Sequence, residues 1–182
     1  YADGAGVKEM VAVCQLAAQM ATPTFTHVAY TADIDPQSSI EAYIRLIGYA
    51  GATGTHMHIC HLNSTSGTDI GRAVEILQKA QAQGLAVTVE AYPYGTGSTV
   101  ISAAFYQDPD FPKRSGRGYD SLQVVATGHR YQSREEVLAA AAANPGELIL
   151  THFLNTEGYG PQQPLLDLSV MYPGGAIASD AM

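Results

Sequence analysis

Apolar positions in this chain alternate between helical and strand spacing several times over. Val7, Met10, Val11, Cys14 and Ala18 recur at helical spacing, and Pro23 closes that segment. A short apolar run over 24–30 reads as a buried strand, and Asp33 and Asp35 before Pro36 read as turn residues. Ser38 and Glu41 have the spacing of a capping box, with Ile40, Tyr43, Ile44 and Ile47 on one face of the helix that follows. A strand over 55–61 comes next. Ser66 and Asp69 repeat the box spacing ahead of Ile70, Ala73, Val74 and Leu77, and Gly84 fits the position just past that helix. Residues 85–92 are rich in β-branched side chains and read as a third strand. The stretch 95–131 carries Asp108-Pro109, Phe111-Pro112 and several glycines, and reads as a long irregular, functional loop. Ser133 and Glu136 cap an alanine-rich helix, a fourth strand covers 147–152, a short helix lies around 165–170, and a fifth strand covers 175–179.

Strands alternating with helices imply an α/β chain with a parallel sheet covered by helices. An open doubly wound sheet and part of a (β/α)8 TIM barrel both fit. No GxGxxG and no GxxxxGKS/T follows a strand, which removes the main nucleotide-binding signatures of the open sheet. A complete barrel needs about 250 residues, whereas this chain has 182. The expectation is a partial barrel occupying 1–182 as one unit, with the 95–131 loop inside it.

A hydrophobic content of 46% supports a packed core. No apolar run approaches the roughly 20 residues of a membrane helix, and no signal peptide is visible in a chain that opens on Tyr1. A net charge of -8 with nine Lys and Arg argues against a nucleic-acid partner, because phosphate binding needs clustered cations. Cys14 and Cys60 form no CxxC pair and demand no oxidising compartment. A cytoplasmic enzyme with a small-molecule substrate, and neither nucleic acid nor membrane as partner, is the expectation.

The polar residues that interrupt this pattern fall at strand ends. His27 lies near the end of the first strand, His61 at the end of the second, Glu90 and Tyr92 at the end of the third, His152 at the end of the fourth and Asp180 at the end of the fifth. Barrels draw their catalytic groups from the C-terminal ends of several strands. His56 and His58 form an HxH pair, but strand alternation sets them opposite His61 and towards the helices. His129 is solvated or belongs to a lid, and Asp180 either caps a following helix or does chemistry. Imidazole and carboxylate ligands suit zinc, which in catalytic sites keeps a position for water and lowers its pKa to about 7. A nearby carboxylate can move the water's proton to a leaving amine. No GxSxG elbow is present, which disfavours a serine hydrolase.

Met57-His58-Ile59-Cys60-His61-Leu62-Asn63-Ser64 resembles the ISHLK strand of the N-acyl-D-amino-acid deacylases, within the amidohydrolase superfamily. Val89-Glu90-Ala91-Tyr92-Pro93-Tyr94-Gly95-Thr96-Gly97-Ser98-Thr99 resembles that family's DAYPYxAGST segment, Thr26-His27-Val28 its THxR strand, and Ile177-Ala178-Ser179-Asp180 its xGSD end to the eighth strand. Order and spacing agree over nearly the whole chain. The resemblance implies strands four to eight of the barrel, with His61 the metal-binding histidine of strand five and Asp180 the catalytic aspartate of strand eight. Glu90 or Tyr92 stands at the strand-six position, where the superfamily often has a second histidine; Glu90 is the residue expected at the metal. His27, Asn63, Tyr92, Ser98 and His152 are expected at the substrate. Gly97, Ser98 and Thr99 either line the pocket or make the turn. Asn63 stands where the family has Lys, and Ala29 where it has Arg. The superfamily's first-strand HxH pair and bridging ligand cannot be placed in this chain.

The implied reaction is hydrolysis of an N-acyl-D-amino acid to a carboxylate and a D-amino acid, with one or two Zn2+ ions or another divalent metal. An acidic substrate such as N-acyl-D-glutamate needs a cation, for which Arg114, Arg117 and Arg130 are candidates. Cyclic amide hydrolysis of the dihydroorotase or hydantoinase kind is one alternative, and an inactive barrel piece with a binding or structural role is another. An open barrel has unpaired edges that favour association, including homo-oligomers.

Overall fold

The computed structural model describes residues 5–31 and 38–179, so Asp180 and the expected turn at Asp33 and Asp35 lie outside the described residues. Along the chain come α1 (Val7–Gln19), β1 (Thr24–His27), α2 (Ser39–Thr53), β2 (Met57–Cys60), α3 (Leu62–Ser66), α4 (Ile70–Ala82) and β3 (Val87–Ala91). There follow β4 (Thr96–Val100), α5 (Ala104–Gln107), α6 (Phe111–Ser115), β5 (Leu122–Val124), α7 (Arg134–Ala143), β6 (Leu148–His152), α8 (Gln163–Val170) and β7 (Ala176–Ile177).

α1, α2, α4, α7 and α8 form where the sequence puts them, whereas α3, α5 and α6 carry no periodicity that announces them. Ser38 caps α2 by accepting from the Ile40 N–H, and Gly54 ends it at φ 70°, a conformation that suits glycine. Ile40, Tyr43, Leu46 and Ala50 make its buried face. Ser133 likewise accepts from the Glu136 N–H at the start of α7. The box expected at Ser66 and Asp69 does not form. The chain is already helical from Leu62, and a 3-10 turn over Gly67–Asp69 joins α3 to α4, leaving no separate helix start to cap.

β1, β2, β3 and β7 pair in that order as one parallel sheet. Met57, Ile59, Val87 and Val89 share a buried core with Cys14 of α1, Tyr43 of α2, Leu77 of α4 and Leu166 of α8. Phe25, His58 and Thr88 stand in register on the opposite face, and His27 is level with Cys60. His58 therefore turns away from the helices, contrary to the sequence expectation. Met57 and Ile59 are the helix-facing positions, and His61 leaves the strand's alternation because its backbone is left-handed, at φ 63°.

Among the described residues the sheet has four strands rather than the five expected, because β6 belongs elsewhere. β6 pairs antiparallel with β4 on one side and β5 on the other. The stretch 95–131 is not an irregular loop: it contains β4, α5, α6 and β5, and it closes with α7 and β6 around its own core of Ile101, Tyr106, Phe111, Leu122, Tyr131, Val137 and Ile149. Ile149 is wholly buried there. Ile149→Ala should cost about 2–5 kcal/mol of unfolding free energy through lost burial and a residual cavity, measured by denaturant unfolding; a loss under about half a kcal/mol would mean that this second core does not hold the insertion.

Candidate active site

The chain leaves β2 and enters α3 at a single residue, His61. Its left-handed backbone costs about 1–2 kcal/mol relative to the right-handed form. The His61 N–H donates to Glu90 Oε1 at 2.8 Å, from the end of the neighbouring strand β3. His61 Nδ1 lies 2.9 Å from the same oxygen, off the line of an ideal N–H···O bond. Burial pushes the Glu90 carboxyl up, but hydrogen bonding and charge from His61 outweigh it and hold the group below its ordinary value. Glu90 Oε2 is buried and makes no hydrogen bond to any described residue. A buried carboxylate oxygen without a donor is costly, so this atom marks a place where a cation or donor is called for.

Two aromatic neighbours frame the pair. The His27 ring lies edge-on to His61 with centroids 5.3 Å apart, and Tyr92 lies 5.9 Å from it on another side. His27 Nδ1 is 2.7 Å from the Val28 carbonyl, which can only accept, so Nδ1 carries the proton. Tyr92 is buried, and its hydroxyl would sit 3.1 Å from a Cβ placed on Gly97. Asn63 has no exposed surface: its amide donates to the carbonyls of Tyr92 at 2.8 Å and Tyr94 at 3.1 Å. Asn63 thus fixes the loop after β3, which carries Tyr92. Asn63 Oδ1 also accepts from the Tyr92 N–H at 3.4 Å. Asn63→Ala should remove all three bonds and cost about 1–3 kcal/mol, read by thermal or denaturant unfolding; unchanged stability would show that the loop does not depend on it.

The other expected residues lie apart from His61. Ser98 is exposed on β4, opposite Leu150 of β6. His152 belongs to the antiparallel sheet, with Nδ1 2.9 Å from Thr96 Oγ1 and Nε2 2.9 Å from Gln123 Oε1. The Gln123 oxygen accepts, so Nε2 holds the proton and the Thr96 hydroxyl donates to Nδ1. With Pro93, Tyr94, Gly95, Leu150, Thr156 and Gln163 it borders an open cleft of 580 Å³ between the loop after β3, the antiparallel sheet and α8. The three loop arginines are engaged: Arg114 with Asp108 at 2.8 Å, Arg130 with Glu157 at 3.2 Å, and Arg117 with the Phe153 carbonyl. His129 is exposed, 3.6 Å from Glu136.

Thr88 escaped the sequence reading. Its hydroxyl meets His56 Nε2 at 2.9 Å and His58 Nδ1 at 2.8 Å, so the two imidazoles are tied to β3. Its signal was a period of two: Thr88 lies on the same face of β3 as Glu90.

Burial, then the nearby Arg130 charge, holds the His152 pKa below its ordinary 6.5. The fold therefore favours the neutral ring. The stability this contributes is whole above about pH 6.5 and is lost as pH falls through that value towards the lowered one. An NMR titration should give His152 a midpoint below 6.5, and His152→Gln should lessen the loss of stability on the acid side; a midpoint at or above 6.5 contradicts the neutral, doubly bonded ring.

The fold is mixed α/β and is similar to that of solved enzymes of the amidohydrolase type. An N-acyl-D-glutamate deacylase from Bordetella bronchiseptica, solved with zinc and a phosphonate inhibitor mimicking the tetrahedral intermediate, matches 97% of this chain with a TM-score of 0.70 at 14% identity. A D-aminoacylase variant in complex with CuCl2 matches 96% with a TM-score of 0.69, and a D-aminoacylase described as defining a novel subset of amidohydrolases matches 96% with a TM-score of 0.66, each at 14% identity. The chain spans about a third of their length, 35–36%. No protein-family model and no curated protein matches the sequence. Among the described residues no group of three His, Cys, Asp or Glu side chains is arranged to hold a metal ion, and no helix is long and apolar enough to cross a membrane.

Proposed function

We propose that this chain supplies consecutive strands from the second half of a (β/α)8 barrel, and that the barrel is a metal-dependent amidohydrolase cleaving the amide of N-acyl-D-amino acids. The observation that carries this reading is the His61–Glu90 pair, set at the C-terminal ends of adjacent parallel strands, where barrels assemble their chemistry. The likeness in fold to D-aminoacylases and the deacylase-like runs around His61, Tyr92 and Asp180 support it.

The pair fits a divalent cation as far as it goes. One imidazole has Glu90 against its Nδ1, and one buried carboxylate oxygen has no donor among the described residues. His61 through its outer nitrogen Nε2, and Glu90 through Oε2, are the ligands this chain offers; the remainder come from outside its described residues. When bound, the ion lowers the pKa of its water to about 7. Glu90 stays anionic at neutral pH because His61 lowers its pKa, and it holds the imidazole in place through Oε1. β7 runs beside β3, with Ala176 level with Glu90, so the segment leading to Asp180 starts alongside the pair. In our reading the Asp180 carboxylate takes a proton from water as the water oxygen bonds to the acyl carbon. It returns that proton to the nitrogen as the C–N bond breaks, leaving a carboxylate and a D-amino acid. Tyr92 and His27 flank His61 and bound the substrate space; Asn63, through its hold on the Tyr92 backbone, positions that wall. Ser98 and His152 serve the substrate from the insertion.

The test is release of free amino acid from N-acetyl-D-amino acids, N-acetyl-D-glutamate among them, against the L-enantiomers and hydantoin, in the presence of zinc. D-selective turnover is expected, with His61→Ala and Asp180→Asn lowering kcat/KM by about 100-fold or more. Absence of D-selective turnover, or turnover unchanged in both variants, refutes the reading.

A further inference from the structure

We propose that Tyr43 is a positioning residue for His61, acting through the Thr65 hydroxyl on the backbone turn that aims the imidazole at Glu90. The inference deepens the hydrolase reading above, which supplies the role of His61, but its geometry stands on hydrogen bonds that need neither metal nor substrate. β1 and β2 are parallel, so α2 between them runs back along the sheet and its first turns lie level with the strand ends that carry His61 and Glu90. Tyr43 stands in the second turn of α2 and Thr65 in α3, directly after His61. Neither has exposed surface.

The count of protons gives the chain its direction. The Thr65 hydroxyl lies 2.6 Å from the His61 carbonyl and 2.9 Å from the Tyr43 hydroxyl. A carbonyl only accepts, so the single Thr65 proton goes to His61 and the Tyr43 O–H donates to Thr65. Burial pushes the Tyr43 hydroxyl up to about 12, so it keeps its proton at neutral pH. A threonine that bonds the carbonyl one turn back is ordinary in helices. Here that carbonyl belongs to a residue at φ 63° and ψ 55°, and a second helix steadies the hydroxyl that holds it. Glu90 anchors the peptide before His61 through its N–H, and Thr65 anchors the peptide after it through its carbonyl. The two peptide planes together fix φ and ψ, and so the direction of the Cα–Cβ bond and of the ring that lies 2.9 Å from Glu90. A phenylalanine would fill the same place in the core around Met57 and Ile59; the Tyr43 hydroxyl adds the hold on the turn.

The test is amide hydrogen exchange followed by NMR on the full chain, with no zinc or substrate added. Tyr43→Phe and Thr65→Val should each speed exchange of the His61 amide by about tenfold or more, with little change at the Leu77 amide in the same core. Thr65→Ser keeps the hydroxyl and should keep the protection. Tyr106→Phe removes a buried hydroxyl from the second core, where it meets Thr151, and should leave the His61 amide as it was. In the zinc-loaded chain Tyr43→Phe should lower kcat for N-acetyl-D-amino acids about tenfold with KM held. A His61 amide unmoved by Tyr43→Phe overturns the proposal. So do equal effects at His61 and Leu77, a response to Tyr106→Phe as large as to Tyr43→Phe, and a Thr65→Ser chain as unprotected as Thr65→Val. A chain that hydrolyses nothing yet loses His61 protection in Tyr43→Phe keeps the positioning and refutes only the hydrolase.

Discussion

β2 must become a helix within one residue, and the chain does this at His61 by adopting a conformation that a β-carbon resists. What holds it there is a carboxylate on the next strand: Glu90 accepts the His61 N–H that the turn would otherwise leave without a partner. Thr65 secures the other side, taking the His61 carbonyl with both its N–H at 3.0 Å and its hydroxyl at 2.6 Å. Much follows from this. α3 can begin at once, Asn63 in its first turn reaches the loop after β3, and the imidazole is thrown off the strand's alternation to lie beside Glu90. Strain at such a point is tolerated only where the surroundings over-determine it. Here the bonds that carry the turn also carry the side chain with the strongest claim to chemistry.

The second organising fact is that the chain has two cores. The parallel sheet and its helices form one, and the insertion forms another around Ile149 and Phe111. Gly95 joins them: a β-carbon there would sit 2.6 Å from Thr156 Oγ1 and 2.9 Å from the Leu154 carbonyl, so only glycine permits the approach. The cleft bordered by His152 lies along this junction. His152 is committed at both nitrogens, so it shapes the wall of the cleft more readily than it exchanges protons.

The two faces of the parallel sheet have different fates. The apolar face is closed by helices. The other carries Phe25, His27, His58, Thr88 and Glu90, a mixture of one exposed aromatic ring and groups that need hydrogen bonds. A surface of that composition is poorly suited to bulk water and equally poorly suited to a dry core.

Helix positions were legible from sequence because a period of three to four residues is a local property; Ser38, the α2 face and the α4 face needed only their neighbours in the chain. The strand-end residues were legible too, and His61 and Glu90 prove adjacent because parallel strands in register bring their ends level. What misled was non-local. β6 reads in sequence like any buried strand, and nothing within it states that its partners are β4 and β5 in antiparallel sense, so His152 was assigned to the wrong sheet. β4, with three of its five residues small and polar and one a glycine, gave no strand signal of its own. His58 faces away from the helices because His61, with its left-handed backbone, stands outside the alternation of β2. The sequence by itself determined the helices α1, α2, α4 and α7 and the strands β1, β2, β3 and β6 as segments, since those depend on side-chain type and spacing. Tertiary structure alone decided which strands share a sheet and which way His61 and His58 face, because pairing and a strained φ are paid for by contacts far away along the chain.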